Sequence, residues 1–246
     1  MTTSATLDLS QRANLPEQMD ELCSYDEYQR VIQGLSVVNR VVLANRPTFA
    51  FLKRIAGDVR RGTEPLRIVD VGCGDGDLLR RIAVWAEGRG IGVALTGIDL
   101  NPLSMRAARE ATAEAVLPCQ REIRWITGDA LEYRPKHAVD VILSSHLMHH
   151  LSNAQVVHLL QWMEGTACRG WFVSDIHRHA VPFHLFGLLA RAARWHPIVR
   201  DDGLASIQRA FSPGDWSSLC LAAGLKPNSY SIDWYMPFRL CVSSVR

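Results

Sequence analysis

The chain is short of several things, and each shortage argues against a class of protein. Its six cysteines (Cys23, Cys73, Cys119, Cys168, Cys220 and Cys241) are scattered, with no CxxC pair and no Cys/His grouping at zinc-finger spacing. That speaks against a disulfide scaffold and a structural metal, and for reduced thiols in a cytoplasmic protein. An excess of one charge is missing too: 27 basic against 25 acidic residues leave a net +2, no global field for nucleic acid or an anionic membrane surface. The longest apolar stretch, Val181 to Ala190, is interrupted by Pro182, His184 and Gly187. It falls far below the roughly 20 residues that span a bilayer. The opening MTTSATLDLSQRANLPEQ lacks the basic-then-apolar plan of a secretory signal. The expectation is a cytoplasmic protein with no nucleic-acid partner and no integral membrane association. Oligomeric state is not set by any of this.

What is present is core. A chain of 246 residues with 48% hydrophobic content can bury one sizeable interior. From Pro16 to about Val59 apolar residues recur three and four apart, a helical prefix with breaks expected at Gly34 and Arg46-Pro47. Residues 1–15 are polar and expected to be mobile. From about residue 61 strand and helix patterns alternate. Strands are predicted at Arg67–Val71, Val93–Ile98, Ile123–Thr127, Val139–Ser144 and Trp171–Ser174, and two more at Ser229–Trp234 and Phe238–Val245. Asn101-Pro102 and Ser212-Pro213 read as helix starts, a capping side chain followed by proline in the first turn. The predicted class is α/β: a Rossmann-like, seven-stranded, mostly parallel sheet with an antiparallel C-terminal hairpin and helices on both faces. The predicted division is a helical extension or lid over 1–60 and a core over 61–246, with a helical insertion at about 176–210. In such sheets ligands lie at the carboxyl ends of the strands.

The most specific stretch is Asp70-Val71-Gly72-Cys73-Gly74-Asp75-Gly76-Asp77. Its apolar strand runs into a glycine turn and then a helix, a nucleotide-binding layout. A dinucleotide fingerprint needs glycine at 77, where this chain has Asp77. The acids Asp75 and Asp77 beside a helix start would repel a pyrophosphate and suit a cationic nucleoside. Three other pieces accompany the turn: Gly97-Ile98-Asp99-Leu100-Asn101-Pro102, Gly128-Asp129-Ala130, and Asp140 to Leu151 with its Ser144-Ser145-His146 and His149-His150.

Together these four pieces resemble the class I S-adenosylmethionine-dependent methyltransferases over about residues 61–246. The resemblance implies S-adenosylmethionine as cofactor. It implies that Asp99 binds ribose, Leu100 packs on adenine, and Asp129, with Ala130 beside it, receives the adenine amino group. Gly72, Cys73, Gly74 and Gly76 would lie against the methionine part. Asp70 would orient that turn or hold the ammonium through water, and Ser144 and Ser145 would line the methyl-donor side. The segments Leu15–Asp20 and Val38–Arg40 are faintly similar to methyltransferases that tailor aromatic polyketides or quinone-like lipids, with Tyr25, Tyr28, Asn39 and Arg40 facing the cleft or simply packed and solvated.

Methyl transfer from a sulfonium is an in-line displacement, so the protein mainly positions and desolvates. A hydroxyl acceptor also needs a base, and histidine suits neutral pH. His177, within the polar run Asp175, His177, Arg178 and His179, is the first candidate, followed by His149 and His146. The alternative role for His149-His150-Leu151 is a loop that supports the cofactor or caps the next helix. No spacing among these histidines compels a metal. The apolar 181–192 segment predicts a helix packed on the core edge, a lid over an acceptor with apolar surface, or a weak membrane-surface contact. The expected activity is methylation of a small molecule, with O-methylation of an aromatic or polyketide-like hydroxyl favoured over carbon or nitrogen. A non-catalytic cofactor-binding partner protein is the alternative of a different class.

Overall fold

Strand and helix alternate through the second part of the chain because the apolar pattern alternates. The computed structural model describes residues 7–18, 24–57, 64–115, 123–195 and 197–246. Strands β1 (Leu66–Val71), β2 (Val93–Asp99), β3 (Arg124–Thr127), β4 (Val139–Ser145), β5 (Ala167–Ile176), β6 (Ser231–Tyr235) and β7 (Arg239–Val245) form one seven-stranded sheet. Its order is β3-β2-β1-β4-β5-β7-β6. The first five strands are parallel, and β7 pairs antiparallel with both β5 and β6. This is the sheet and the C-terminal hairpin that the sequence predicts.

Successive residues of β1 serve opposite faces, which is why the strand is apolar throughout. Ile68 packs with Leu79 and Ile82 of α3 (Asp77–Glu87) and with Phe51, Leu52 and Ile55 of α2 (Arg46–Ala56). Val69 and Val71 pack on the other face with Leu159 and Leu160 of α5 (Asn153–Thr166) and with Trp216 and Leu219 of α8 (Pro213–Ala222). Each fully buried Leu or Ile of this kind contributes about 1.5–3 kcal/mol. Helix starts follow the capping signals. Asn101 accepts from the Leu103 N–H at 2.9 Å to open α4 (Pro102–Glu114). Ser152 with Gln155, and Ser212 with Asp215, form reciprocal capping boxes at α5 and α8.

The prefix differs from its sequence reading. Helix α1 (Tyr25–Val41) runs straight through Gly34, and the single break, at 42–45, falls just before Arg46-Pro47, the second of the two expected places. A Cβ on Gly34 would lie 3.3 Å from Val199 Cγ2, so the glycine allows a close helix crossing rather than a break. The insertion is two helices, α6 (Ala180–Ala192) and α7 (Pro197–Arg209). On α6, Pro182, Phe186 and Ala190 are buried, whereas Val181, Leu185 and Leu188 face outward.

Of residues 1–15, expected to be mobile, 1–6 lie outside the described residues and 7–15 are tied down by hydrogen bonds. Arg12 Nε donates to Arg209 O at 2.7 Å, where α7 ends, and Arg12 Nη2 donates to Leu151 O at 3.0 Å. Arg178 donates to Leu9 O at 3.0 Å and Ala13 N–H to Gln208 O at 3.0 Å. Carbonyls at the end of a helix lack intrahelical partners, and arginine forks supply them here. Cys73, Cys168, Cys220 and Cys241 are free thiols, and Cys23 and Cys119 lie outside the described residues. Among the described residues no helix is long and apolar enough to cross a membrane.

Candidate active site

A cavity of about 490 Å³ lies over the carboxyl edge of the sheet. Its floor is the ends of β1, β2 and β4, and its walls come from α1, α6, α7, the start of β7, and Glu17. The two halves of this space are built differently.

The half over β1 and β2 is made by backbone. Gly72 and Cys73 N–H both donate to Ile98 O, Gly74 N–H donates to Asp99 Oδ2 at 3.0 Å, and Gly76 N–H donates to Cys73 O at 2.9 Å. Gly72, Gly74 and Gly76 take φ values of 70°, 54° and 74°, which a side chain resists. These N–H groups are therefore spent on the protein and are not available as a phosphate cradle. Asp99 also accepts from Asn101 N–H at 2.8 Å, and a carboxylate with about four acceptor sites keeps room for ligand hydroxyls. Asp70 is buried, and its Oδ1 accepts nothing. Burial, followed by the neighbouring Asp99 charge, pushes the Asp70 carboxyl up to about 8.

The sequence reading assigned the attraction for a cation partly to Asp75 and Asp77. The structure corrects this. Arg80 binds the Asp75 carbonyl and lies 3.4 Å from its Oδ2, and Arg81 Nε meets Asp77 Oδ2 at 2.6 Å. The helix neutralises its own acids, and the carboxyls left at the turn without a basic side-chain partner are Asp70, which ionises only as a cation displaces its proton, and Asp99.

The other half is made by side chains. His149 and Asp175 are buried, and His149 Nδ1 lies 2.7 Å from Asp175 Oδ1. Asp175 Oδ2 accepts the His149 N–H at 3.0 Å and Oδ1 accepts the Ile176 N–H at 2.7 Å. Burial alone would raise the Asp175 carboxyl, but the charge and hydrogen bond of His149, then His146, hold it well below the usual carboxylate range. Across the cavity Glu17 Oε1 is 3.8 Å from His149 Nε2 and Glu17 Oε2 is 3.7 Å from His150 Nε2. Arg209 Nη1 stands 3.4 Å from Glu17 Oε1, and Ser206 Oγ donates to the same oxygen at 2.8 Å. Glu17, His149 and His150 are close enough to hold a cation, with the Arg209 guanidinium already beside them.

Residues 68–166 match the family described as a methyltransferase domain. The chain is 27% identical over 188 residues to trans-aconitate 2-methyltransferase of Mycobacterium ulcerans (strain Agy99), covering 75% of this chain and 64% of that protein. The chain thus spans less than two thirds of the length of such relatives. In three dimensions it resembles the plantazolicin methyltransferase BamL, with a TM-score of 0.65, 12% identity, and 89% and 91% of the two chains covered. It also resembles the CMeT domain of the citrinin polyketide synthase, with a TM-score of 0.54, 13% identity, and 79% and 50% covered. Residues 68–166 thus carry a methyltransferase domain, of the class I S-adenosylmethionine-dependent kind.

The residues present fit that cofactor. A buried carboxyl with an orphaned oxygen, Asp70, is completed by a cation. At Gly74 an added Cβ would meet only Ile32 Cδ1, at 3.9 Å, so the turn presents open backbone to the cavity beneath α1. Of the residues that the sequence assigned to this methyltransferase domain's donor, Asp70, Gly72, Cys73, Gly74, Asp99, Leu100 and Ser145 line the cavity. Leu100 is 70% exposed, an apolar side chain standing at the rim. Gly76, Asp129, Ala130 and Ser144 do not line it. Gly76 serves packing, since a Cβ there would sit 2.1 Å from the Trp125 ring. Asp129 is exposed and accepts from Leu131 N–H at 2.8 Å, Ala130 is buried, and Ser144 Oγ is buried without a partner.

The histidines divide sharply. His149 and His146 line the cavity, and His177 does not. His177 stacks on His179 with ring centres 5.2 Å apart and meets Trp234 edge-on at 4.7 Å. Burial, then His179 and Arg178, bring its pKa down to about 4. The polar run at the end of β5 disperses: Asp175, still within the strand, goes to His149, Arg178 to the N-terminal segment, and His179 caps α6 by accepting from Val181 N–H. His146 Nδ1 is 3.1 Å from Arg239 Nη1, and burial followed by that guanidinium depresses its pKa well below the usual histidine value. Sequence reasoning missed Glu17, Arg209 and Arg239 as site residues. Arg239 was the one with a signal, a charge inside the apolar run Phe238 to Val242. Tyr28 and Asn39 line the cavity, whereas Tyr25 bonds Glu110 outside it.

Proposed function

We propose that this chain transfers a methyl group from S-adenosylmethionine to an oxygen of a small, largely apolar molecule, with the hydroxyl of an aromatic or polyketide-like compound as the preferred acceptor. The observation that carries this reading is the buried Asp175–His149 pair on the cavity wall. The cofactor, when bound, supplies a methyl group on a sulfonium, so the acceptor oxygen needs only alignment and loss of its proton. With Nδ1–H donated to Asp175, the His149 ring would take the acceptor proton at Nε2. Nε2 faces Glu17, so Asp175 and Glu17 flank the ring and stabilise its charge once it takes the proton. His146 is a poorer base, because burial and Arg239 oppose its protonation. His177, the first candidate by sequence, yields to His149 because it lies outside the cavity.

Asp70 and Asp99 provide the negative charge for the donor, and Val31, Leu35, Val38, Phe186 and Phe238 provide the apolar walls for the acceptor. We read residues 7–18 together with α1, α6 and α7 as the cover that keeps water from the reacting groups. A panel of hydroxylated aromatic and polyketide-like acceptors, followed by mass spectrometry, tests the activity: a gain of one methyl separates transfer from mere cofactor binding. On the best acceptor, His149→Ala and Asp175→Asn should each lower kcat by about 10²–10⁴ while leaving cofactor affinity unchanged. Retention of full turnover by His149→Ala removes the base and leaves positioning alone.

A further inference from the structure

The cavity holds one buried cation whose partners are all neutral. Arg239 is 4% exposed and lines the cavity. Its Nη1 is 3.1 Å from His146 Nδ1, its Nη2 donates to Asn39 Oδ1 at 3.3 Å, and its Nε is buried and donates to nothing. Among the described residues no carboxylate forms an ion pair with it. Asp175, the acid that acts on it most, is committed to His149 and to two backbone N–H groups. A guanidinium has five donors, and burying its charge without an anion is costly. Its pKa is lowered to about 10, by burial first, so it stays charged at neutral pH.

Its position separates it from the donor. Arg239 opens β7 and pairs in register with Ile176 at the end of β5, three places along the sheet from β1. At about 4.8 Å per strand that is roughly 14 Å from the strand carrying the glycine turn. Around it lies the apolar cluster of Val38, Phe186, Val199, Ile207 and Phe238. An apolar chamber with one fixed, unsatisfied guanidinium selects a ligand with an apolar body and an anionic group, and a planar carboxylate matches the fork.

We propose that Arg239, braced by His146 and Asn39, is an anchor for a carboxylate on the acceptor, so that the natural substrate is an apolar hydroxy acid. This deepens the methyl-transfer reading and rests on it for the word acceptor, but the anchor itself is a binding site with its own readout. The competing source of the anion is the carboxylate of the donor's amino-acid end.

The test is calorimetric titration of 6-hydroxy-2-naphthoate, and separately of its methyl ester, into the full chain saturated with S-adenosylhomocysteine. The acid should bind about tenfold to a hundredfold tighter than the ester. Arg239→Gln should abolish that preference and leave S-adenosylhomocysteine affinity unchanged. Arg239→Lys, which keeps the charge and loses the fork, should retain part of the preference. Equal binding of acid and ester by the natural chain, or binding of neither, overturns the proposal without any variant. A loss of S-adenosylhomocysteine affinity in Arg239→Gln also overturns it and assigns the guanidinium to the donor. A persistent acid preference with no methylated product sinks the methyl-transfer reading and leaves the carboxylate site standing.

Discussion

Replacing Asp70 by asparagine should make the protein more stable and a worse binder. A carboxyl that titrates near 8 instead of 3.8 costs the fold, when ionised, up to about 6 kcal/mol, of which about 4 kcal/mol is expressed at pH 7. The fold relaxes around the ionised group and admits water, which leaves about 1–2 kcal/mol to be recovered by Asp70→Asn, or about 3–6 °C in Tm for a domain of this size. The sign follows from proton counting. Below pH 4 both folded and unfolded chains hold the proton, and the variant gains nothing. Between about 4 and 8 only the folded chain holds it, so the natural protein loses stability as pH rises and the advantage of the variant grows. The assay is thermal unfolding without ligand at pH 4, 6 and 8, paired with calorimetric titration of S-adenosylmethionine. Affinity should fall about tenfold in the variant, the loss of one charge-assisted contact. The affinity of the natural protein should rise from pH 6 to 8, because the cationic donor expels the proton. A variant less stable than the natural protein at pH 8, or one that binds the donor equally well, refutes the assignment of Asp70 as the charge reserved for the ligand.

Two further outcomes follow from packing. Gly76→Ala should cost about 2–4 kcal/mol in urea unfolding, since it adds left-handed strain at φ 74° to a 2.1 Å clash with Trp125, and a loss below about 1 kcal/mol refutes the packing role. Arg178→Ala removes donors to Leu9, Ser10 and Ala210 and the 2.9 Å pair with Asp215. It should lower stability by about 2 kcal/mol and make residues 7–15 the first site of limited proteolysis, and an unchanged cleavage pattern shows that the segment is held by something else.

The middle of the sheet was legible because β1, β4 and β5 are buried on both faces, and caps such as Asn101 and Ser212 carry their signal within a few residues. The turn over β1 and β2 was legible for a local reason: the positive φ of Gly72, Gly74 and Gly76 favours glycine. The acceptor half was not. His177 and His149 look alike in sequence, both downstream of apolar strands, and only the path of the loop decides that one faces the cavity and the other packs under Trp234. Glu17 reaches His149 across a sequence distance that no local pattern spans. Gly34 misled because a helix tolerates glycine when a neighbour needs the room, here Val199.

The division of the cavity between a floor of strand ends and walls of outer helices separates two kinds of heritable change. On the proposed reading, exchanging the apolar residues of α1 or α6 should alter which acceptor fits without touching the hydrogen bonds that tie Gly72, Cys73 and Gly74 to β2. If that reading holds, a scaffold so partitioned would drift among acceptors at a constant grip on the donor, and grafting foreign α6–α7 segments onto this sheet would be the shortest route to redirecting it.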